Sequence, residues 1–214
     1  MFGARHVEAF SQKEMDESIQ AVLYNGEEDA YIPHQDRPYV VKLAKALHIK
    51  KIPLEMIYKC GVYGLDPDCI PYKPVRLETC KFLDQIVRGR AVVLSPHAKS
   101  VAGIPGECWK QIVKFYRKKG YQIFTNVAGD ERAIEGTVRL EVKLSELQSV
   151  VERAGTFIGI RSGLCDVIRE ASCRKIALYP DYQYCDTKWK AIDMYWLDGW
   201  ENIVVEEEFQ WNRG

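Results

Sequence analysis

The tripeptide Arg161-Ser162-Gly163 sits between two segments of different period. Before it, Phe157, Ile158 and Ile160 make the short apolar run of a buried parallel strand. After it, Leu164, Val167 and Ile168 recur at helical spacing, so a helix is expected to begin at the serine. Ser162 suits the N-cap position, and Gly163 lets a ligand come close to the backbone. A strand that turns tightly into a helix N-terminus offers an anion unpaired N–H groups and the positive end of the helix dipole. Arg161 adds a planar cation that fits phosphate or carboxylate. An ordinary βα turn with a surface arginine leaves the same letters, so the stretch alone does not choose between the two.

Two more polar segments follow apolar runs in the same way. Ser95-Pro-His-Ala-Lys99 follows Ala91-Val-Val-Leu94, and Asn126-Val-Ala-Gly-Asp-Glu131 follows Tyr121-Gln-Ile-Phe-Thr125. His97, just past a strand end, is placed to touch a ligand or move a proton. His6, His34 and His48 are scattered and read as surface or capping residues. The seven cysteines include no C-x-x-C pair, so no metal site and no disulfide framework is expected. Neither G-x-G-x-x-G nor a Walker-type G-x-x-x-x-G-K-[ST] occurs, which argues against a dinucleotide or ATP-hydrolysis site and against a bound cofactor.

The elements that must position these loops are legible in the pattern. Residues 1–60 read as a small, mostly helical region: Ser11 with Glu14 forms a capping box before Met15, Ile19, Val22 and Leu23. Further helices are expected over Pro38–Leu47 and Leu54–Tyr58. Residues 61–76, with three prolines and two glycines, read as a linker, and the domain boundary is placed there. A short amphipathic helix is expected over about Leu77–Val87. From 77 to 214 strands alternate with helices. The strands are Ala91–Leu94, Tyr121–Thr125, a short Thr137–Val142, Phe157–Ile160 and a last one at Arg174–Tyr179. The helices start at Pro105 and at Ser145. Such alternation implies βαβ units and a parallel sheet, with ligands held at the carboxyl ends of the strands. The three polar loops would then share one rim. The tail from Asp181, rich in tyrosine and tryptophan, is expected to pack a final helix on the body or to stack on a sugar or base.

Apolar residues make up 47% of the chain and charged ones 28%, as in ordinary globular proteins. The formal charge of zero gives no sign of a nucleic-acid partner. No run reaches transmembrane length, and the N-terminal residues lack the apolar core of a signal peptide. A cytoplasmic chain, in peripheral contact with the inner membrane face, is the expectation.

Over residues 89–180 the order of segments resembles the C-terminal, nucleotide-sugar-binding half of two-domain glycosyltransferases. The resemblance is to the heptosyltransferase-like group of the fold called GT-B. It is carried by Val92-Val-Leu-Ser-Pro-His97, the helix around Trp109, the small-residue loop Asn126–Glu131, Gly136-Thr137 before a Leu-rich helix, and Phe157-Ile-Gly-x-x-Ser-Gly163. Where that group carries an acidic residue before the Ser/Thr-Gly pair and a histidine beyond it, this chain has Arg161 and Asp166, which leaves the donor sugar unassigned.

The resemblance implies an α/β, Rossmann-like, mainly parallel sheet flanked by helices. It also implies transfer of a sugar, without a metal, from a nucleotide diphosphate to a glycan or other hydroxyl acceptor. Arg161, Ser162, Gly163, Ser95, His97 and Lys99 would hold the diphosphate. Asn126, Glu131, Thr137, Leu140 and Val142 would meet the nucleoside. Asp166 would orient Arg161, touch the sugar, or simply favour the helix dipole. His97 and Asp166 are the only candidates for proton transfer, and no general base is assigned. Residues 1–60 are shorter than the complete acceptor domain of that group, so a fragment, or a chain lacking the acceptor half and pairing with another chain, is expected. The competing readings are a non-catalytic nucleotide-binding module and a pyruvyl or phosphoryl transferase on a similar sheet.

Overall fold

The computed structural model describes residues 8, 10–26, 52, 56, 59–60, 63–69, 80–99, 101–181, 190–206 and 209–211. The chain divides into two compact units, Met1–Pro74 and Val75–Gly214. In the first, α1 spans Gln12–Asn25. Ser11 Oγ accepts from the Glu14 amide at 3.3 Å and Glu14 Oε2 accepts from the Ser11 amide at 2.8 Å, closing the capping box. Gly26, with φ 64, ends the helix in the left-handed conformation that glycine adopts without a steric cost. The helix expected over Pro38–Leu47 lies outside the described residues, and of Leu54–Tyr58 only Met56 is described.

The second unit is built on a six-stranded sheet, β1 Ala91–Ser95, β2 Gln122–Asn126, β3 Val138–Leu140, β4 Gly155–Ile160, β5 Arg174–Pro180 and β6 Glu201–Val205, in the order β3-β2-β1-β4-β5-β6. Every neighbouring pair is parallel. Side chains of successive strand residues go to opposite faces, and each face has its own core. Val92, Leu94, Ile123, Ile158, Ile160, Ile176 and Leu178 pack under α2 (Gly106–Lys118) through Trp109, Ile112 and Tyr116. Ala91, Val93, Phe124, Phe157, Ala177 and Tyr179 pack under α3 (Leu147–Ala154), α4 (Gly163–Val167) and the segment around α5 (Ala191–Tyr195). The result is the α/β, Rossmann-like sheet expected from the alternation of elements.

Glycine fixes one junction. Gly155 ends α3 at φ 91 and is also the first residue of β4, and a Cβ on it would lie 2.9 Å from the Gly89 Cα. Helix and strand meet here without a loop at a left-handed residue whose missing side chain leaves room for the Gly89 backbone.

Three expectations need correction. Arg174–Pro180 is not the last strand: the tail returns as β6, pairing Ile176 with Glu201 through Pro180 with Val205. The run Asn202-Ile-Val-Val205 is too short to stand out from the aromatic tail around it. The tail aromatics are not packed by one final helix. Trp200 lies against Phe157, with ring centroids 5.9 Å apart, while Trp211 lies against Phe115 and Tyr116 on the other face. Tyr182, Tyr184 and Trp189 lie outside the described residues. In place of a helix over Leu77–Val87, the described residues hold a 3₁₀ turn, Lys81–Gln85, closed by Ile86 in an extended conformation. As the pattern implies, β2 and β3 are joined by loop 127–137 with no helix between them.

Candidate functional site

In the order β3-β2-β1-β4-β5-β6 the chain leaves β1 towards one edge of the sheet and leaves β4 towards the other. The loops after these two adjacent strands therefore diverge and leave a crevice at the carboxyl ends of the strands, the place where doubly wound sheets bind ligands. Ser95 ends β1 opposite Gly159 of β4 and is 3% exposed. A Cβ on Gly159 would fall 2.7 Å from the Phe157 ring and 3.2 Å from the Ser95 Cβ, so only glycine lets the strands close here.

The turn after β4 is braced by Arg161, whose side chain is 12% exposed. Nε donates to the Tyr195 carbonyl at 2.8 Å, and Nη1 donates to the Ser162 carbonyl at 2.7 Å. Nη1 and Nη2 also grip Asp166 Oδ2 and Oδ1 at 2.9 and 3.0 Å, and the guanidinium lies 5.9 Å from the centre of the Tyr195 ring. A bidentate fork of this kind fixes both partners and offsets the charge of each. Of the roles open to Asp166, orienting Arg161 is the one the geometry displays. Ser162 occupies the N-cap position of α4 but makes no side-chain capping bond. Gly163 faces open space, with nothing near a Cβ built on it. The first N–H groups of α4 have no intrahelical acceptor, as at any helix start. Just inside the turn, burial pushes the Cys165 thiol up to about 11, and its Sγ donates to the Ile160 carbonyl at 3.4 Å.

Sequence reasoning missed the support behind this brace. The Tyr179 hydroxyl lies 2.8 Å from the Tyr195 carbonyl and 2.7 Å from Asn202 Oδ1, sharing its one proton between them. Burial raises the Tyr179 pKa and keeps it a donor. Asn202 in turn holds loop 197–200, donating to the Leu197 and Trp200 carbonyls at 2.8 and 3.0 Å and accepting from the Leu197 amide at 2.9 Å. An asparagine inside the apolar run of β6 was the available signal.

The loops after β1 and β2 are tied together. His97 Nε2 lies 2.9 Å from the Arg132 carbonyl. A carbonyl only accepts, so Nε2 carries a proton, and in the neutral ring Nδ1 keeps the lone pair. Lys99 is exposed. The residues expected at the nucleoside differ in what they can still offer. Asn126 ends β2 half-buried, and Val142 is half-buried just past β3. Glu131 turns its carboxylate back onto the Ala128 amide at 2.8 Å, and its carbonyl accepts from Arg139 at 2.6 Å. Thr137 closes a ring of bonds: the Ile134 amide donates to Thr125 Oγ1 at 3.2 Å, Thr125 and Thr137 hydroxyls meet at 2.6 Å, and Thr137 donates to the Ile134 carbonyl at 2.7 Å. Leu140 is wholly buried in the core and presents no surface to a ligand, so the base pocket expected of it is not found there. Ser95, His97, Lys99 and the Arg161–Gly163 turn thus lie at or just past the carboxyl ends of β1 and β4, whereas Glu131 and Thr137 are engaged in local hydrogen bonds and Leu140 in the core.

Fold and rim together define a doubly wound, all-parallel α/β unit with a crevice at its switch point. No protein-family model matches the chain, and no curated protein matches it. Among solved structures it is similar to the iron-containing dodecameric glycosyltransferase TibC from enterotoxigenic E. coli, at 18% identity and a TM-score of 0.42, over 55% of this chain and 32% of that one. It is also similar to a glycosyl transferase family 9 protein from Veillonella parvula, at 12% identity and a TM-score of 0.41, over 94% of this chain and 50% of that one. The chain thus spans at most half the length of either protein.

Proposed function

We propose that the unit Val75–Gly214 binds a nucleotide-diphosphate sugar in the β1/β4 crevice, and that the chain is a cytoplasmic, metal-independent glycosyltransferase or its donor-binding part, acting on a hydroxyl acceptor such as a glycan. The observation that carries this reading is the reversal of strand order between β1 and β4, with Ser95–Lys99 on one side and Ser162–Gly163 on the other. As the bond from the sugar to the diphosphate breaks, negative charge grows on the leaving phosphate. Fixed N–H groups and cations stabilise that charge without reorganising. The amides at the start of α4 and the exposed Lys99 would serve it directly. Arg161 would act chiefly as a positioning residue, because a phosphate would have to compete with Asp166 for its fork. Asn126 and Val142 would meet the nucleoside. His97 Nδ1, with its lone pair, is the better placed of the two proton-transfer candidates, since both oxygens of Asp166 are occupied by Arg161.

A thermal-shift screen of UDP, GDP, ADP, CMP and their sugars tests the reading. A ligand at about a hundred times its dissociation constant stabilises the fold by roughly 2.7 kcal/mol. At least one nucleoside diphosphate should give such a shift without Mg²⁺, and slow hydrolysis of its sugar without acceptor should follow. Shifts without turnover would leave a binding module, a strict need for Mg²⁺ would favour phosphoryl transfer, and no shift with any ligand would end the nucleotide-sugar reading.

A further inference from the structure

Parallel strands consecutive in sequence are usually joined through a helix that covers the sheet between them. Loop 127–137 joins β2 to β3 instead, so the flank of α2 on that side is bounded by a loop. A groove of about 610 Å³ lies there, between the Lys110–Lys118 side of α2 and Glu135-Gly136. None of its lining residues belongs to the loops after β1 and β4. Lys110, Lys114 and Lys118 follow one another at intervals of one helical turn, all exposed. Arg117 lies beside them and donates Nη2 to the Gly136 carbonyl at 2.6 Å, which fixes the guanidinium across the groove. Gly136 has φ 77, and a Cβ on it would overlap that guanidinium. Against four cations stand Glu107, 3.5 Å from Lys110, and Glu135. The chain as a whole has a formal charge of zero, so this excess is local.

We infer that this basic face of α2 binds the phosphate-bearing headgroups of an anionic lipid bilayer. Protein partners gain most of their affinity from buried aromatic or aliphatic anchors seated in pockets. The groove offers none, because Val113 at its floor is 4% exposed and the rest of the α2 wall is cationic side chains. A row of exposed cations gains far more from a surface of many negative charges, where each contributes about fivefold in partitioning. The three lysines line the groove and are exposed, and long cationic side chains at interfaces lay their stems on apolar surface with the charge outwards. This inference stands apart from the sugar-transfer reading and survives its failure.

Co-sedimentation of the full chain with phosphatidylcholine vesicles, with and without phosphatidylglycerol, tests it. Binding should require phosphatidylglycerol and weaken as salt is raised. The triple substitution Lys110→Glu, Lys114→Glu, Lys118→Glu should lower it by about a hundredfold or more. The corresponding triple Lys→Gln variant should fall between, and it carries the test if the charge-reversed chain melts early. No recruitment of the wild-type chain overturns the inference, as does equal recruitment of the charge-reversed variant. Capture by soluble poly-glutamate without recruitment to vesicles overturns it in favour of an acidic protein.

Discussion

Arg161 shows how far a residue type can be trusted before its neighbours are known. As letters, Arg161-Ser162-Gly163 left an anion site and an ordinary βα turn equally open, and the strand end, the turn and the helix start are where the pattern put them. The partners of the guanidinium were not legible. Tyr195 lies 34 positions along the chain, and nothing local marks its carbonyl as the acceptor for Nε. Arg161→Ala should therefore destabilise the second unit by about 1–3 kcal/mol in chemical denaturation, through an unpaired Asp166 and a lost donor to Tyr195. Arg161→Lys should recover only part of this, because an ammonium lacks the fork. The buried thiols give a prediction in pH. Burial pushes Cys108 up to about 12 and Cys165 and Cys173 up to about 11, against an ordinary 9.0. Below about pH 9 these thiols are neutral in both folded and unfolded chains, so they leave stability level. Above it the unfolded chain ionises first and stability falls towards the folded values. Urea midpoints followed from about pH 7 to about pH 10 check this, and an unchanged midpoint at the alkaline end contradicts it.

At the scale of elements, the pattern gave most of the strands and the two long helices of the sheet unit, because each carries several residues at a clear period. It failed where elements are short or where contact is made by an absence of side chain. β6 and the five-residue α5 carry too few residues to establish a period. Gly163 stood out beside the N-cap serine, but nothing local told Gly155 from Gly159, and the structure gives the three different roles. Gly159→Ala should cost about 1–3 kcal/mol by driving a methyl into the Phe157 ring. Gly155→Ala should cost at least about 1–2 kcal/mol, since its φ of 91 lies outside the usual range of L-residues and the Gly89 backbone blocks the Cβ. Gly163→Ala should stay within about 0.5 kcal/mol of wild type. Denaturation of the three variants side by side checks the ordering, and an equal cost at all three would contradict the close contacts assigned to Gly155 and Gly159.

For the whole molecule, alternation of strands and helices implied a parallel sheet but not its order. Which strand lies beside which is decided by hydrogen bonds between distant segments, such as Ala91 with both Gln122 and Gly155, and periodicity carries no trace of them. The reversal between β1 and β4, which creates the crevice, was therefore visible only in the fold. The division into Met1–Pro74 and Val75–Gly214 predicts that residues 75–214, expressed alone, unfold in one cooperative transition. A fragment with native-like far-ultraviolet dichroism but no cooperative melt would show that the sheet depends on the first unit.

The central claim is that the crevice beside Gly163 takes the diphosphate of a nucleotide sugar, and isothermal titration of nucleoside diphosphates into wild type and Gly163→Glu tests it most directly. Gly163 is exposed, and a glutamate in the first turn of a helix suits its dipole, so the variant should fold and melt as wild type does. Its carboxylate would stand where the proposed site would hold the phosphates. Saturable binding to wild type that disappears in the variant is the predicted result. Equal binding by both chains, or none by the wild type, contradicts the account.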